Sequence, residues 1–331
     1  MYKVGIVGVG GMGRVHARQY RKRNDVDLQF YDRNADRSKS FRDVYGAAPA
    51  SSFDELLKQV DVIDVCLPTP EHREYGLKAI AAGRAVLMEK PLALNLNQAE
   101  ELASAAAKAD VPLMPAHVAR YFPEYRIAHD MVVRGDIGKP AAARLRRGGG
   151  APSGSDKWFM DCAKSGLTLL DLSIHDFDWL HWTLGPVKFL YSRSVGQKTG
   201  RGPDYSLTTL TFENGCIAHV EGTWMDPSGF RTHFEIAGSD GLIQHDSRLN
   251  SAVRTSLAPR STEGAPLPNL EGGLFEIEDP YYLEIDGFLK AVSAAIEPPV
   301  SVRDGLMAVS IAEAATQSAR TNEVITPASQ F

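Results

Sequence analysis

Lys3-Val-Gly-Ile-Val-Gly8-Val-Gly10-Gly11-Met12-Gly13-Arg-Val-His-Ala17 decides how this chain folds. Lys3 to Val7 is a short β-rich apolar run, Gly8-x-Gly10-x-x-Gly13 follows without a spacer, and Met12 to Arg23 has a helical mix of residues. The reading is strand, tight turn, helix. Glycine suits each of its three positions: the first allows the sharp turn, the second lets backbone approach a pyrophosphate, and the third lets helix and strand pack closely. Phosphates would then rest on the helix N-terminus, where free N–H groups and the dipole favour negative charge. A glycine-rich turn alone would also fit an ordinary strand–helix unit. The next apolar run, Val26 to Tyr31, supplies the context, because it ends at Asp32, where a carboxylate can hold ribose hydroxyls. That carboxylate would repel a 2′-phosphate, which favours NAD. Arg33 beside it could pair with the phosphate and keeps NADP as the alternative.

Outward from this unit the pattern repeats. Ala35 to Tyr45 and Ser52 to Gln59 read as helices, Val62 to Leu67 as a buried strand, Glu71 to Ala82 as helix and Ala85 to Met88 as strand. A helix then starts at Asn95 or Asn97, and Val111 to Met114 is a further strand. Regular alternation argues a doubly wound parallel sheet whose crevice lies at the carboxyl ends of its strands. Asp32, Leu67 to Thr69 and Glu89-Lys90-Pro91 all follow strand ends, so they are expected to line one crevice.

The pattern changes near Arg120. Phe122 to Val133 reads as helix, Ala141 to Arg147 as extended chain, Gly148 to Ser155 as a loop, and Ser165 to Leu184 as one helix. Five β-rich runs follow, Val187 to Val195, Tyr205 to Phe212, Cys216 to Met225, Phe230 to Ala237 and Leu242 to His245, with turn signals at Glu213-Asn-Gly215 and Ser239-Asp-Gly241. Short turns between successive strands argue an antiparallel sheet. Arg248 to Gly273 is polar and expected as a surface loop, and helices over Tyr281 to Ile296 and Val302 to Arg320 close the chain. The division expected is 1–121 for the dinucleotide-binding domain and 122–331 for a substrate-binding and oligomerisation domain.

With 331 residues, 44% hydrophobic and 23% charged, the chain has the composition of a globular protein large enough for two domains. A net charge of −5 with interspersed signs gives no footprint for nucleic acid or an anionic membrane. Three scattered cysteines, Cys66, Cys162 and Cys216, suit a reducing compartment rather than a disulfide frame or zinc site. No apolar run is long enough for a bilayer, the first strand begins almost at Met1, and the expected location is the cytoplasm.

Two groups could carry chemistry. Lys90 stands at a strand end, where its ammonium can project into the crevice; the bland alternative is a surface lysine. Asp171-Leu-Ser-Ile-His175 would put a carboxylate and an imidazole one helical turn apart on one face, a pair that can orient the ring and tune it for proton transfer. A capping aspartate is the bland reading of that pair, and Asp178 and His181 extend it toward a metal set that lacks any recognised ligand pattern. No metal is expected. The other histidines, His16, His117, His129, His219, His233 and His245, have no sequence partner and read as structural or surface residues; His72, just past a strand end, is expected at the cofactor.

Taken together, the glycine fingerprint with Asp32, Pro68-Thr-Pro-Glu-His72, Glu89-Lys90-Pro91 and Asp171-x-x-x-His175 resemble the Gfo/Idh/MocA family of oxidoreductases, and Leu169 to Leu184 is most similar to its inositol 2-dehydrogenases. The resemblance implies a Rossmann domain followed by an α/β domain with a large, open, mostly antiparallel sheet used for dimer or tetramer contacts. It implies Lys90, Asp171 and His175 as catalytic residues, with His175 as general base oxidising a secondary hydroxyl of a sugar or cyclic polyol. Gly8, Gly10, Gly11, Met12, Gly13, Asp32, Arg33, Leu67, Thr69, His72, Glu89 and Lys90 are expected to hold the cofactor, NAD with NADP as alternative. Arg120, Trp158 and Tyr281 are expected to join the catalytic three at the substrate. The segments Ala119 to Pro123 and Ser165 to Thr168 depart from the family pattern, so the chemistry carries over better than the substrate. An NAD-dependent glycoside hydrolase and a non-catalytic NAD sensor are the rival readings.

Overall fold

The central strands of the first half are apolar and buried along their length, as strands covered on both faces by helices must be. The computed structural model describes residues 1–152, 155–196, 205–249, 253–257 and 279–329. In it β1 (Tyr2–Val7), β2 (Val26–Tyr31), β3 (Ala48–Pro49), β4 (Val62–Val65), β5 (Ala85–Glu89) and β6 (Leu113–Ala116) form a parallel sheet in the order β3-β2-β1-β4-β5-β6. The order reverses between β1 and β4, which opens a crevice at their carboxyl ends. The intervening helices are α1 (Gly11–Tyr20), α2 (Ala35–Tyr45), α3 (Phe53–Gln59), α4 (Thr69–Ala81) and α5 (Leu96–Ala109). Asn34, Ser52 and Asn95 cap three of them through side-chain oxygens that accept the N–H of Arg37, Glu55 and Gln98. Each such cap contributes about 1 kcal/mol.

The second half supplies α6 (Pro123–Arg134), β7 (Pro140–Gly148), α7 (Cys162–Ser165), α8 (Ile174–Leu184), β8 (Val187–Val195), β9 (Tyr205–Phe212), β10 (Ile217–Thr223), β11 (Arg231–Gly238), β12 (Gly241–Asp246) and β13 (Arg254–Leu257). Its sheet runs β13-β12-β11-β7-β10-β9-β8, antiparallel throughout except that β7 and β10 are parallel. Ala143, Leu145, Val220, Phe234 and Ile236 face the core, while Arg144, His219 and His233 alternate onto the open face. Trp179 of α8 fills the centre, with its ring edge-on to Tyr125 at 5.1 Å and its indole N–H donating to the Tyr125 carbonyl at 3.0 Å.

Two expectations need correction. The helix from Ser165 to Leu184 is broken: Gly166 is left-handed, Leu167 has φ of +50°, Thr168–Leu172 is a π-turn closed by Ser173 N–H to the Thr168 carbonyl, and α8 begins only at Ile174. Leu-Leu-Asp-Leu is helical by propensity, but the wide turn inserts a residue and redirects Asp171. In the stretch expected as a loop from Arg248, Arg254–Leu257 pairs with β12 as a strand, and most of the remainder lies outside the described residues.

α9 (Pro280–Ala294) and α10 (Val302–Thr321) return to the first half. Ile285, Phe288, Leu289 and Val300 share one core with Val4, Ile6, Phe30, Leu87 and Met114. The last helices therefore complete the cover of the first sheet.

Candidate active site

The turn after β1 has the geometry its glycines require. Gly8 has φ of +88°, and a Cβ on Gly13 would stand 2.2 Å from the Gly8 carbonyl oxygen. Nothing lies within 4 Å of the Cβ positions of Gly10 and Gly11. The first turn of α1 has neither a side-chain cap nor an acidic residue, and Met12 follows at its start. Free N–H groups facing open space fit a pyrophosphate. Asp32 ends β2 with Oδ2 accepting from Val9 N–H at 2.9 Å and Oδ1 from Asn34 N–H at 2.7 Å. The cation beside it is Arg37, whose guanidinium lies 3.2 Å away, whereas exposed Arg33 turns to Glu71 through two bonds of 3.0 and 3.1 Å. His72 is buried, one ring nitrogen 2.8 Å from the Pro91 carbonyl and the other 2.9 Å from that of Leu67. Its ring is thus engaged by the two strand-end loops, which it ties together, with Thr69 buried beside it at the start of α4.

Across the crevice, Lys90 Nζ donates to the Asp171 carbonyl at 2.6 Å and to Asp171 Oδ1 at 2.9 Å. This is where the π-turn matters. Asp171 was expected to orient His175, but its carboxylate is engaged by Lys90, and no hydrogen bond joins it to His175 among the described residues. His175 Nδ1 is buried without a hydrogen-bond partner among the described residues. Burial, then the positive charges of Lys90 and Arg147, hold its ring well below the ordinary histidine range, so it is neutral near pH 7 and able to accept a proton.

His117, read from the sequence as structural or surface, is fully buried directly after β6, close enough for its charge to bear on His175, and 3.9 Å from Asp178. The signal was available: it follows a strand end, as Asp32 and Lys90 do. Arg120, expected at the substrate, is instead committed to buried ion pairs, with bonds of 2.8 and 2.6 Å to Asp178 and 3.1 Å to Asp304. Trp158 stacks on Phe159 with ring centroids 3.9 Å apart in the turn before α7. Tyr281 opens α9 with its ring 5.9 Å from that of His16.

A dinucleotide crevice facing a lysine, a carboxylate and a neutral imidazole defines an oxidoreductase of CH–OH groups. Residues 2–117 match the oxidoreductase family, NAD-binding Rossmann fold, and residues 125–244 match the GFO/IDH/MocA C-terminal domain. The chain belongs to the Gfo/Idh/MocA family of oxidoreductases, and its cofactor is NAD. It is 28% identical to myo-inositol 2-dehydrogenase of Thermotoga maritima over 327 residues, 96% of each chain. It is 29% identical to 1,5-anhydro-D-fructose reductase of Ensifer adhaerens over 280 residues, 82% of each. Among solved structures, GenD2 from gentamicin A biosynthesis, in complex with NAD, superposes with a TM-score of 0.86 at 26% identity, covering 99% of this chain and 96% of that one.

Proposed function

We propose that the protein oxidises a secondary hydroxyl of a sugar or inositol-like polyol to a ketone. The observation that carries the reading is the Lys90 ammonium, tied to Asp171 beside a buried His175 whose Nδ1 is unpartnered. Lys90 holds the substrate hydroxyl and stabilises negative charge on its oxygen. His175 takes the hydroxyl proton as general base. Asp171 fixes the lysine and bonds a neighbouring hydroxyl. Bound NAD supplies the acceptor for the carbon-bound hydride. The 2-dehydrogenase relative supports a cyclic polyol.

The test is NAD or NADP reduction, followed by ultraviolet absorbance, over a panel of inositols, aldoses, sugar acids and glycosides. Reduction of NAD by one polyol is expected, and Lys90→Met or His175→Ala should lower its turnover by roughly two orders of magnitude with NAD binding retained. Full activity of both variants would remove the assigned roles. Sugar release from a glycoside without net NADH would make the protein a hydrolase, and NAD binding with no turnover of any kind would favour the sensor.

The open sheet face, where Phe189, Leu207 and Ile217 are exposed among arginines and histidines, supports a homodimer or tetramer, checked by light scattering. Three free cysteines support a cytoplasmic location, and no described helix is long and apolar enough to cross a membrane.

A further inference from the structure

A cluster of ionisable side chains beneath the crevice takes no part in the chemistry above. His16 lies on the buried face of α1, three residues past Gly13, and is 0% exposed. Its Nδ1 is 2.9 Å from Asp64 Oδ2 on β4, and its Nε2 is 3.2 Å from Glu89 Oε1 at the end of β5. The second contact is an ion pair without hydrogen-bond alignment. We propose that His16 is a positioning residue: an imidazolium wedged between Asp64 and Glu89 that fixes the peptide carrying Lys90 and couples the cofactor-binding helix to that lysine.

Charge and donor bookkeeping supports this. Asp64 also accepts from Tyr20 OH at 3.0 Å and from the Cys66 thiol at 3.3 Å, the donor set of an ionised carboxylate. Glu89 Oε2 accepts the Lys90 N–H at 3.0 Å, so the two ends of one carboxylate hold His16 and the Lys90 backbone. A neutral imidazole carries one N–H only and would turn a lone pair toward the other carboxylate; the imidazolium donates to Asp64 and faces Glu89 with a second positive N–H. From α9 the ring is faced by Tyr281 and by Glu284, whose two carboxyl oxygens are buried and unpartnered. Burial pushes the Glu284 carboxyl well up, leaving it neutral, and pushes up the Cys66 thiol. Two buried negative charges therefore meet one positive ring. Burial works against that charge, but the Asp64 carboxylate and the ring's hydrogen bonds to Asp64 and to the Cys66 sulfur outweigh it and raise the His16 pKa well above the ordinary value. The donor atoms of His16, Asp64 and Cys66 lie within 4.8 Å of one another, a spacing an ion could also use, yet the fourth group of the cluster, Glu89, meets the opposite ring nitrogen.

The inference rests on Lys90 acting at the substrate, but its first test needs no substrate. Two-bond proton–nitrogen correlation on the full-length protein, with histidine nitrogens labelled, reads the ring directly between about pH 6 and pH 9. Expected for His16 are two protonated nitrogens at every pH, and in Asp64→Asn a ring that titrates within that window. A singly protonated ring in the wild type, or a stoichiometric metal on a ring nitrogen, would overturn the proposal. With the polyol active in the panel, His16→Asn should lower kcat roughly tenfold or more while KM and the NAD dissociation constant stay within about threefold. An unchanged kcat in folded His16→Asn refutes the coupling to Lys90. Should that variant not fold, the same kcat-against-KM split in Glu89→Gln decides it. A silent panel with a doubly protonated His16 would remove the polyol reading and retain the imidazolium.

Discussion

At the scale of single residues, the site is organised by where charge can be tolerated. His175 is buried beside Lys90 and Arg147, so its neutral form is favoured and proton acceptance is open to it over a wide pH range. The sign follows: a base with a lowered pKa is lost only when pH falls below the ordinary histidine value of about 6.5. The plot of kcat/KM against pH should stay level from neutrality through that value, with its acid limb below it. Lys90→Met removes the first of the positive charges that depress the ring, and its residual activity should show the limb moved upward. A limb at or above the ordinary value in the wild type would mean that His175 is not the base. That Lys90 follows a strand and that Asp171 and His175 lie close together was legible from local sequence. The Lys90–Asp171 bond was not, since its partners stand 81 residues apart in the chain. His16 was invisible for the same reason: its meaning comes from Asp64 and Glu89, which only the parallel pairing of β4 and β5 brings beneath it.

Among elements, the strands and helices of the first half were readable to within two or three residues, except the short β3, because glycine turns, Asn and Ser caps and apolar runs are local signals. The break between α7 and α8 escaped that reading. No residue from Thr168 to Leu172 forbids a regular helix, and the wide turn coincides with the contact that Asp171 makes to Lys90. The insertion of β7 between β11 and β10 is equally non-local. The strand is then tied to the helices beneath it: Arg147 of β7 donates to Asp176 of α8 through bonds of 2.8 to 3.1 Å and to the Tyr125 hydroxyl of α6 at 2.8 Å. Arg147→Met leaves the Asp176 carboxylate buried and unpaired, an expected loss of about 3–5 kcal/mol in chemical denaturation. Adding Asp176→Leu should restore much of it, as measured by the same denaturation curves.

For the whole molecule, the expected division into residues 1–121 and 122–331 follows the order of the sequence, whereas in space residues of α9 pack on the first sheet. Ile285, Phe288 and Leu289 of α9 pack on the first sheet's own residues. A fragment of residues 1–121 would expose that face to water, and its circular dichroism melt should lack the cooperative transition of the full chain. Gln19 of α1 also donates to Asp279 at the start of α9, at 2.9 Å. Because the tail of the polypeptide seals what its head begins, the nucleotide-binding half cannot be lent to another protein as a detachable cassette. During synthesis that sheet face stays open until α9 has emerged, so a helix made roughly two hundred residues later acts as the closing stitch of the nucleotide-binding half.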